Sequence, residues 1–129
     1  ISHSHYQENS GYLVEKSDMA GFSRQEQLFL AALVRYHRRS IPRTVTGGIP
    51  ERLHSPLRSL LFCIRFSWIL CGTRDDQAIP EFRLELDDGE LLAHFDPEWI
   101  SSHPLTITDL ELERIQLTKL DLDFGFNRE

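Results

Sequence analysis

The sequence predicts an α+β fold, with an all-α segment over residues 1–73 followed by a small α+β unit over residues 74–129 that contains a β-hairpin. Three observations carry that expectation. Apolar residues recur at helical spacing as far as Trp68, strict alternation takes over between Phe82 and Phe95, and the polar run Arg74-Asp75-Asp76-Gln77 separates the two patterns. With 129 residues, the chain has room for a helical layer joined to a small α+β unit but not for a large multidomain enzyme.

The helical half reads from its caps. Asn9 to Ser17 has helical potential, and Ser23-Arg24-Gln25-Glu26 is a capping-box pattern. The apolar run Leu28 to Val34 then predicts a largely buried helix to about His37, with a turn at Ile41-Pro42 and a flexible surface loop at Thr46-Gly47-Gly48-Ile49-Pro50. A second helix is expected from Ser55 as N-cap and Pro56 as first helical residue, ending before Gly72. Its spacing places Leu57, Leu60, Leu61, Ile64 and Trp68 on one face and Arg58 and Arg65 on another. Cys63 and Cys71, eight apart, fit neither a metal site nor a small disulfide framework, and are expected to be two buried thiols of a cytoplasmic protein.

In the second half the turn fixes the register. Asp88-Gly89 is a two-residue hairpin turn, which pairs residue 87 with 90 and sets Leu86 opposite Leu91, Leu84 opposite Ala93 and Phe82 opposite Phe95 on one face. Asp96-Pro97 starts a short helix with Trp99 and Ile100, which Pro104 is expected to stop. Thr108-Asp109-Leu110-Glu111 repeats the capping box and opens a helix to about Lys119, followed by a short strand over 122–126. An isolated hairpin is marginal, so the two acidic helices are expected to cover its apolar face.

Charge narrows the function classes. The net charge of −6 hides an asymmetry: residues 24–65 hold eight arginines against two glutamates, whereas residues 74–129 hold five basic groups against fifteen acidic ones. The middle of the chain therefore attracts anions and the end repels them. The longest apolar run, Leu60 to Cys71, is interrupted by Arg65, so no membrane span is expected. The opening Ile1-Ser2-His3-Ser4-His5-Tyr6 has no signal-peptide character and reads as a cut inside a longer protein.

The distinctive chemistry lies in Arg35-Tyr36-His37-Arg38-Arg39, with Arg43 just beyond and Arg58 and Arg65 on the next helix. Guanidinium groups match phosphate oxygens in a bidentate way, so these seven residues (Arg35, His37, Arg38, Arg39, Arg43, Arg58 and Arg65) are the candidate set for holding a polyphosphate or a nucleic-acid backbone. The plainer reading is that cations at a helix C-terminus complement its dipole. His3 and His5 alternate with Gln7 and Asn9 and could point one way from a loop or strand, but no third or fourth ligand completes a metal site. Asp87-Asp88 and Asp121/Asp123 read as solvated turn and edge carboxylates. No nucleophile elbow, phosphate loop or catalytic constellation is present.

Ile1-Ser2-His3-Ser4-His5-Tyr6, Ser10-Gly11-Tyr12-Leu13-Val14, Ser17-Asp18-Met19-Ala20-Gly21-Phe22-Ser23-Arg24-Gln25-Glu26-Gln27 and Leu33-Val34-Arg35-Tyr36-His37-Arg38-Arg39 follow one another at a telling order and spacing. Together they resemble the C-terminal region of Ppx/GppA exopolyphosphatases and guanosine-pentaphosphate phosphohydrolases. The chain departs from that pattern at Tyr6-Gln7-Glu8-Asn9, where members often carry Tyr-His-Lys-His. The resemblance implies that residues 1–73 are the C-terminal part of a truncated, all-α HD-like helical domain and residues 74–129 a small terminal α+β domain. It implies a catalytic half, with its magnesium, outside this chain, so that this chain carries no cofactor and no catalytic residue. It further implies inorganic polyphosphate as a partner and a homodimer for the full-length protein, with polyphosphate binding and dimer assembly as this region's contribution. The competing classes are a nucleic-acid-binding module and a purely structural dimerisation region; the acidic tail argues against the first, and no nucleic-acid partner is expected.

Overall fold

A computed structural model gives the architecture; it describes residues 3–71 and 79–127, with side chains from residue 9 onward. Among these, five α-helices and a three-stranded sheet confirm the α+β class. The polar break at Arg74-Asp75-Asp76-Gln77 lies outside the described residues, as does Gly72. The chain divides into two compact units, Ile1–Arg65 and Phe66–Glu129.

In the first unit, α1 (His3–Lys16) packs against α2 (Arg24–Tyr36). The helical backbone starts at His3, which corrects the loop-or-strand reading of residues 3–9. The capping box on α2 is present in both directions. Glu26 N–H donates to Ser23 Oγ at 3.0 Å and Ser23 N–H donates to Glu26 Oε1 at 2.8 Å.

Residues 41–49 are not the free loop that their glycines suggest. Val45, Gly47 and Ile49 N–H groups donate to the carbonyls of Pro42, Thr44 and Thr46, and Ile41, Val45 and Ile49 are buried. Buried anchors every four residues turn a glycine-bearing stretch into a chain of tied turns. A 3-10 turn, Glu51–Leu53, then leads into α3 (His54–Cys71), so Ser55 and Pro56 lie just inside the helix rather than at its cap.

The inward face of α3 also differs from the expected one. Leu57, Leu61, Phe62, Arg65 and Phe66 are buried, while Leu60, Ile64 and Trp68 are exposed. Cys63 and Cys71 are exposed free thiols, not buried ones. α3 is apolar around most of its circumference, so periodicity alone does not choose a face. A polar residue makes the choice: Arg65 turns inward to hydrogen-bond partners described below.

The second unit is built on a sheet of order β1-β2-β3, with β1 (Phe82–Asp87) antiparallel to β2 (Glu90–Phe95) and β3 (Asp123–Phe126) parallel to β2. The hairpin register is the expected one at every pair, from Phe82 opposite Phe95 to Asp87 opposite Glu90. Asp88 and Gly89 have φ of 51° and 82°, the two left-handed positions that a type I′ turn requires. The parallel β2–β3 pairing needs a crossover, which α4 (Pro97–Ser101) and α5 (Pro104–Thr118) provide.

Asp96 caps α4, accepting from Glu98 N–H at 3.2 Å, with Pro97 as its first residue. Pro104 ends α4 but also begins α5, four residues before the predicted capping box. Thr108 therefore sits inside the helix, where its Oγ1 donates to the Pro104 carbonyl at 3.2 Å. The Phe82–Phe95 end of the hairpin face is met by Phe66, with ring centroids 5.3 Å from Phe82, 6.3 Å from Phe95 and 6.0 Å from Phe124. β1 itself is exposed along its whole length. The acidic helices thus do not bury its leucines, and Leu86 is 74% exposed.

Candidate anion-binding site

The arginines that read as one basic block in sequence separate into two kinds in space. Arg35 and Arg65 point into the first unit. Arg35 Nη1 lies 2.9 Å from Glu15 Oε1, with both side chains largely shielded. A Cβ at Gly11 would come within 2.2 Å of Arg35 Cγ, so the glycine on α1 is what lets the Arg35 stem lie against that helix. Arg35 and, next, burial act oppositely on Glu15: the hydrogen bond from Arg35 lowers its carboxyl pKa and desolvation raises it, and the net effect holds it below the usual carboxylate value.

Arg65 is 6% exposed. Its Nη1 donates to the carbonyls of Tyr36 and Arg39, each at 2.5 Å. These are carbonyls at and just past the end of α2, left without intrahelical partners, so Arg65 closes the helix C-terminus from the next helix. At the other end of the pair, Gln27 Nε2 donates to the Val14 and Ser17 carbonyls at 3.3 and 2.5 Å, and Arg24 Nη1 to the Glu15 carbonyl at 2.6 Å. α1 is closed by α2, and α2 by α3.

The remaining candidates lie toward the surface. His37 follows α2 as its C-cap, with Nδ1 2.7 Å from the Val34 carbonyl. That contact requires a proton on Nδ1, since a carbonyl oxygen only accepts. Arg38 and Arg43 are exposed; Arg39 and Arg58 are half-buried. Arg43 stands between the buried anchors Ile41 and Val45, so its backbone is held rather than trailing. The arrangement can present guanidinium groups to an extended anion from a fixed helix exit.

The opposite chemistry gathers in the second unit. Asp87, Asp88, Glu90 and Asp123 line a recess of about 460 Å³ together with Arg114, Thr118 and Phe124. Parallel pairing of β2 with β3 sets Glu90 opposite Asp123, a juxtaposition that hairpin spacing alone does not disclose. Among the described residues, no three His, Cys, Asp or Glu groups are placed to hold a metal ion. His94 is taken up by Glu85, 2.8 Å from Nε2, and His103 stacks on Trp99 at a centroid distance of 4.0 Å. None of the described helices is long and apolar enough to cross a membrane.

Comparison with known proteins agrees with the motif reading. A family model, Ppx/GppA phosphatase, domain III, matches residues 1–114. A guanosine-5'-triphosphate,3'-diphosphate pyrophosphatase from Pseudoalteromonas translucida (strain TAC 125) is 31% identical over 121 residues, which are 93% of this chain and 24% of the relative. The protein of the same name from Vibrio atlanticus (strain LGP32) is 29% identical over 125 residues, 95% of this chain and 24% of its own length. The chain thus spans about a quarter of the length of the curated relatives it matches. With most of its length inside that match, the chain belongs to the Ppx/GppA phosphatase family.

Proposed function

We propose that this chain is an accessory region of a longer Ppx/GppA-type phosphohydrolase and binds a polyanionic phosphate chain without performing the chemistry. The single observation that supports the reading most is the exposure of Arg38 and Arg43 at a helix exit whose backbone is fixed by buried Arg65 below and by Ile41 and Val45 beside it. Arg39, Arg58 and His37 flank them, while Arg35 and Arg65 position the exit. Inorganic polyphosphate is the ligand; magnesium serves residues outside this chain. The name of these relatives makes a guanosine nucleotide bearing five phosphates the alternative substrate of the whole protein. In the full-length protein, two copies pair as a homodimer.

Titration of the chain with polyphosphates of graded length tests the reading. Affinity is expected to rise with length and to fall with salt, because each phosphate contact releases condensed counterions. Arg38→Ala with Arg43→Ala should lower the slope of log affinity against log salt by about one per contact removed. Affinity that ignores chain length, or a slope unchanged in the double variant, overturns it. In the full-length enzyme the same pair should slow hydrolysis of long chains more than of short ones.

A further inference from the structure

We infer that β1 is a self-complementary edge through which two copies of this chain join their sheets antiparallel. The inference rests on the reading that copies pair, and adds the surface and register by which they do so. β1 is the outer strand of the sheet and is exposed at all six positions. Of the devices that blunt exposed edges, Phe82 to Asp87 holds no bulge and no proline, and no element among the described residues covers it; only its charges, Arg83, Glu85 and Asp87, remain, and these restrict which register can form.

The hairpin register says which backbone groups are offered. Asp87 pairs with Glu90 beside the two-residue turn, so the hydrogen-bonded pairs are 87–90, 85–92 and 83–94. The N–H and C=O groups of Phe82, Leu84 and Leu86 then face away from β2. The far side of β2 obeys the same alternation: the Ala93 carbonyl, opposite Leu84, accepts from Asn127 N–H at 3.0 Å on the β3 side. The same three residues carry the apolar side chains, exposed by 40% at Phe82, 42% at Leu84 and 74% at Leu86.

A second copy fits this edge in one register best. With the two-fold axis at Leu84, Leu84 meets its own copy, Phe82 meets Leu86, and Arg83 meets Glu85 in both directions. Every apolar residue finds an apolar partner and two opposite-charge pairs form on the other face. Only Glu81 and Asp87, at the ends, oppose like charges. Shifting the axis to Glu85 sets that carboxylate against its copy and Phe82 against the turn residue Asp88; shifting it to Arg83 sets two guanidinium groups together. The charge order along β1 therefore selects the register as well as the occupant.

Sedimentation of the 129-residue chain over a wide concentration range, with hydrogen exchange on the same samples, tests this. A reversible dimer is expected, with the Leu84 and Leu86 amides gaining protection as concentration rises. Arg83→Glu turns both attractive pairs into repulsive ones and should weaken the dimer roughly tenfold or more, while Arg83→Glu with Glu85→Arg restores the complementarity and should recover it. Leu86→Lys, at a site already exposed in the single copy, should abolish dimerisation without loss of the circular dichroism of the fold. A chain that stays monomeric, a dimer indifferent to Arg83→Glu and Leu86→Lys, or amide protection independent of concentration each overturns the edge pairing. If the full-length protein is dimeric while any of these holds, the pairing reading stands and the surface assigned here falls; a monomeric full-length protein sinks both.

Discussion

The two units close themselves at different places: the first ties off helix ends, and the second covers a sheet face. In Ile1–Arg65, polar side chains reach across to close helix ends: Arg24 and Gln27 serve α1, and Arg65 serves α2. In Phe66–Glu129, rings close the face of the sheet, while Asp96 and Asn127 serve its backbone ends. Phe66 meets three phenylalanines on the sheet, and Phe95, Trp99 and His103 stack in series. The difference teaches where each unit is vulnerable. Loss of a ring leaves a cavity, whereas loss of a guanidinium leaves carbonyls desolvated and without a donor.

The largest effect is expected at Phe66. Its ring is 3% exposed, and truncation to Ala should cost about 3–5 kcal/mol, read as a lower urea midpoint with the hairpin signals affected first. A loss below about 1 kcal/mol would mean that the surrounding rings collapse into the space, and that the aromatic closure is not specific.

Next comes Arg65. Arg65→Ala removes a charged donor from two part-buried carbonyls and should cost about 1–3 kcal/mol. The sharper experiment is Arg65→Lys, which keeps the charge but not the planar fork. If lysine restores full stability, the position needs only a cation near the helix dipole, and the comparison between the units loses half its content. If it does not, the geometry of the two carbonyl bonds is what the first unit depends on.

These two residues also show what could be read in advance. The hairpin was legible to the last pair because Asp88-Gly89 fixes the loop length and one face is strictly apolar, two constraints that agree. The α2 capping box was legible because its signal is local. The face of α3 was not: with Leu57, Leu60, Leu61, Phe62, Ile64, Phe66 and Trp68 all apolar, the choice depends on which carbonyls need Arg65, and that is tertiary information. For the same reason the seven candidate anion ligands looked alike in sequence, although Arg35 and Arg65 are turned inward and Arg38 and Arg43 outward. Parallel β3, which brings Asp123 beside Glu90, has no turn signal of its own, because its connection runs through two helices.

A smaller effect separates the polar closure from simple helix propensity. Gly11→Ala gains up to about 1 kcal/mol as a helix former. Against this, the new Cβ meets Arg35 Cγ at 2.2 Å, near the root of the side chain rather than its flexible end, and overpacking of that kind costs about 1–3 kcal/mol. The net expectation is a modest loss of stability, reversed in sign if Arg35 is first shortened to Ala. Additive behaviour of Gly11→Ala and Arg35→Ala would mean that the two positions do not share the space.

The smallest effect is a pH dependence, and it tests the same contact by charge instead of volume. Arg35 holds the Glu15 carboxyl below its usual pKa in the folded chain. A depressed folded pKa means that the unfolded chain binds the proton first as pH falls, so the contribution is fully present above the ordinary carboxylate pKa and is lost as pH drops through the lower, folded value. Stability measured between neutral pH and acid should therefore fall less steeply for Glu15→Gln than for the natural chain, and the two curves should converge at the acid end. Parallel curves would assign the acid sensitivity to other carboxylates and reduce the Glu15–Arg35 pair to a contact of shape alone.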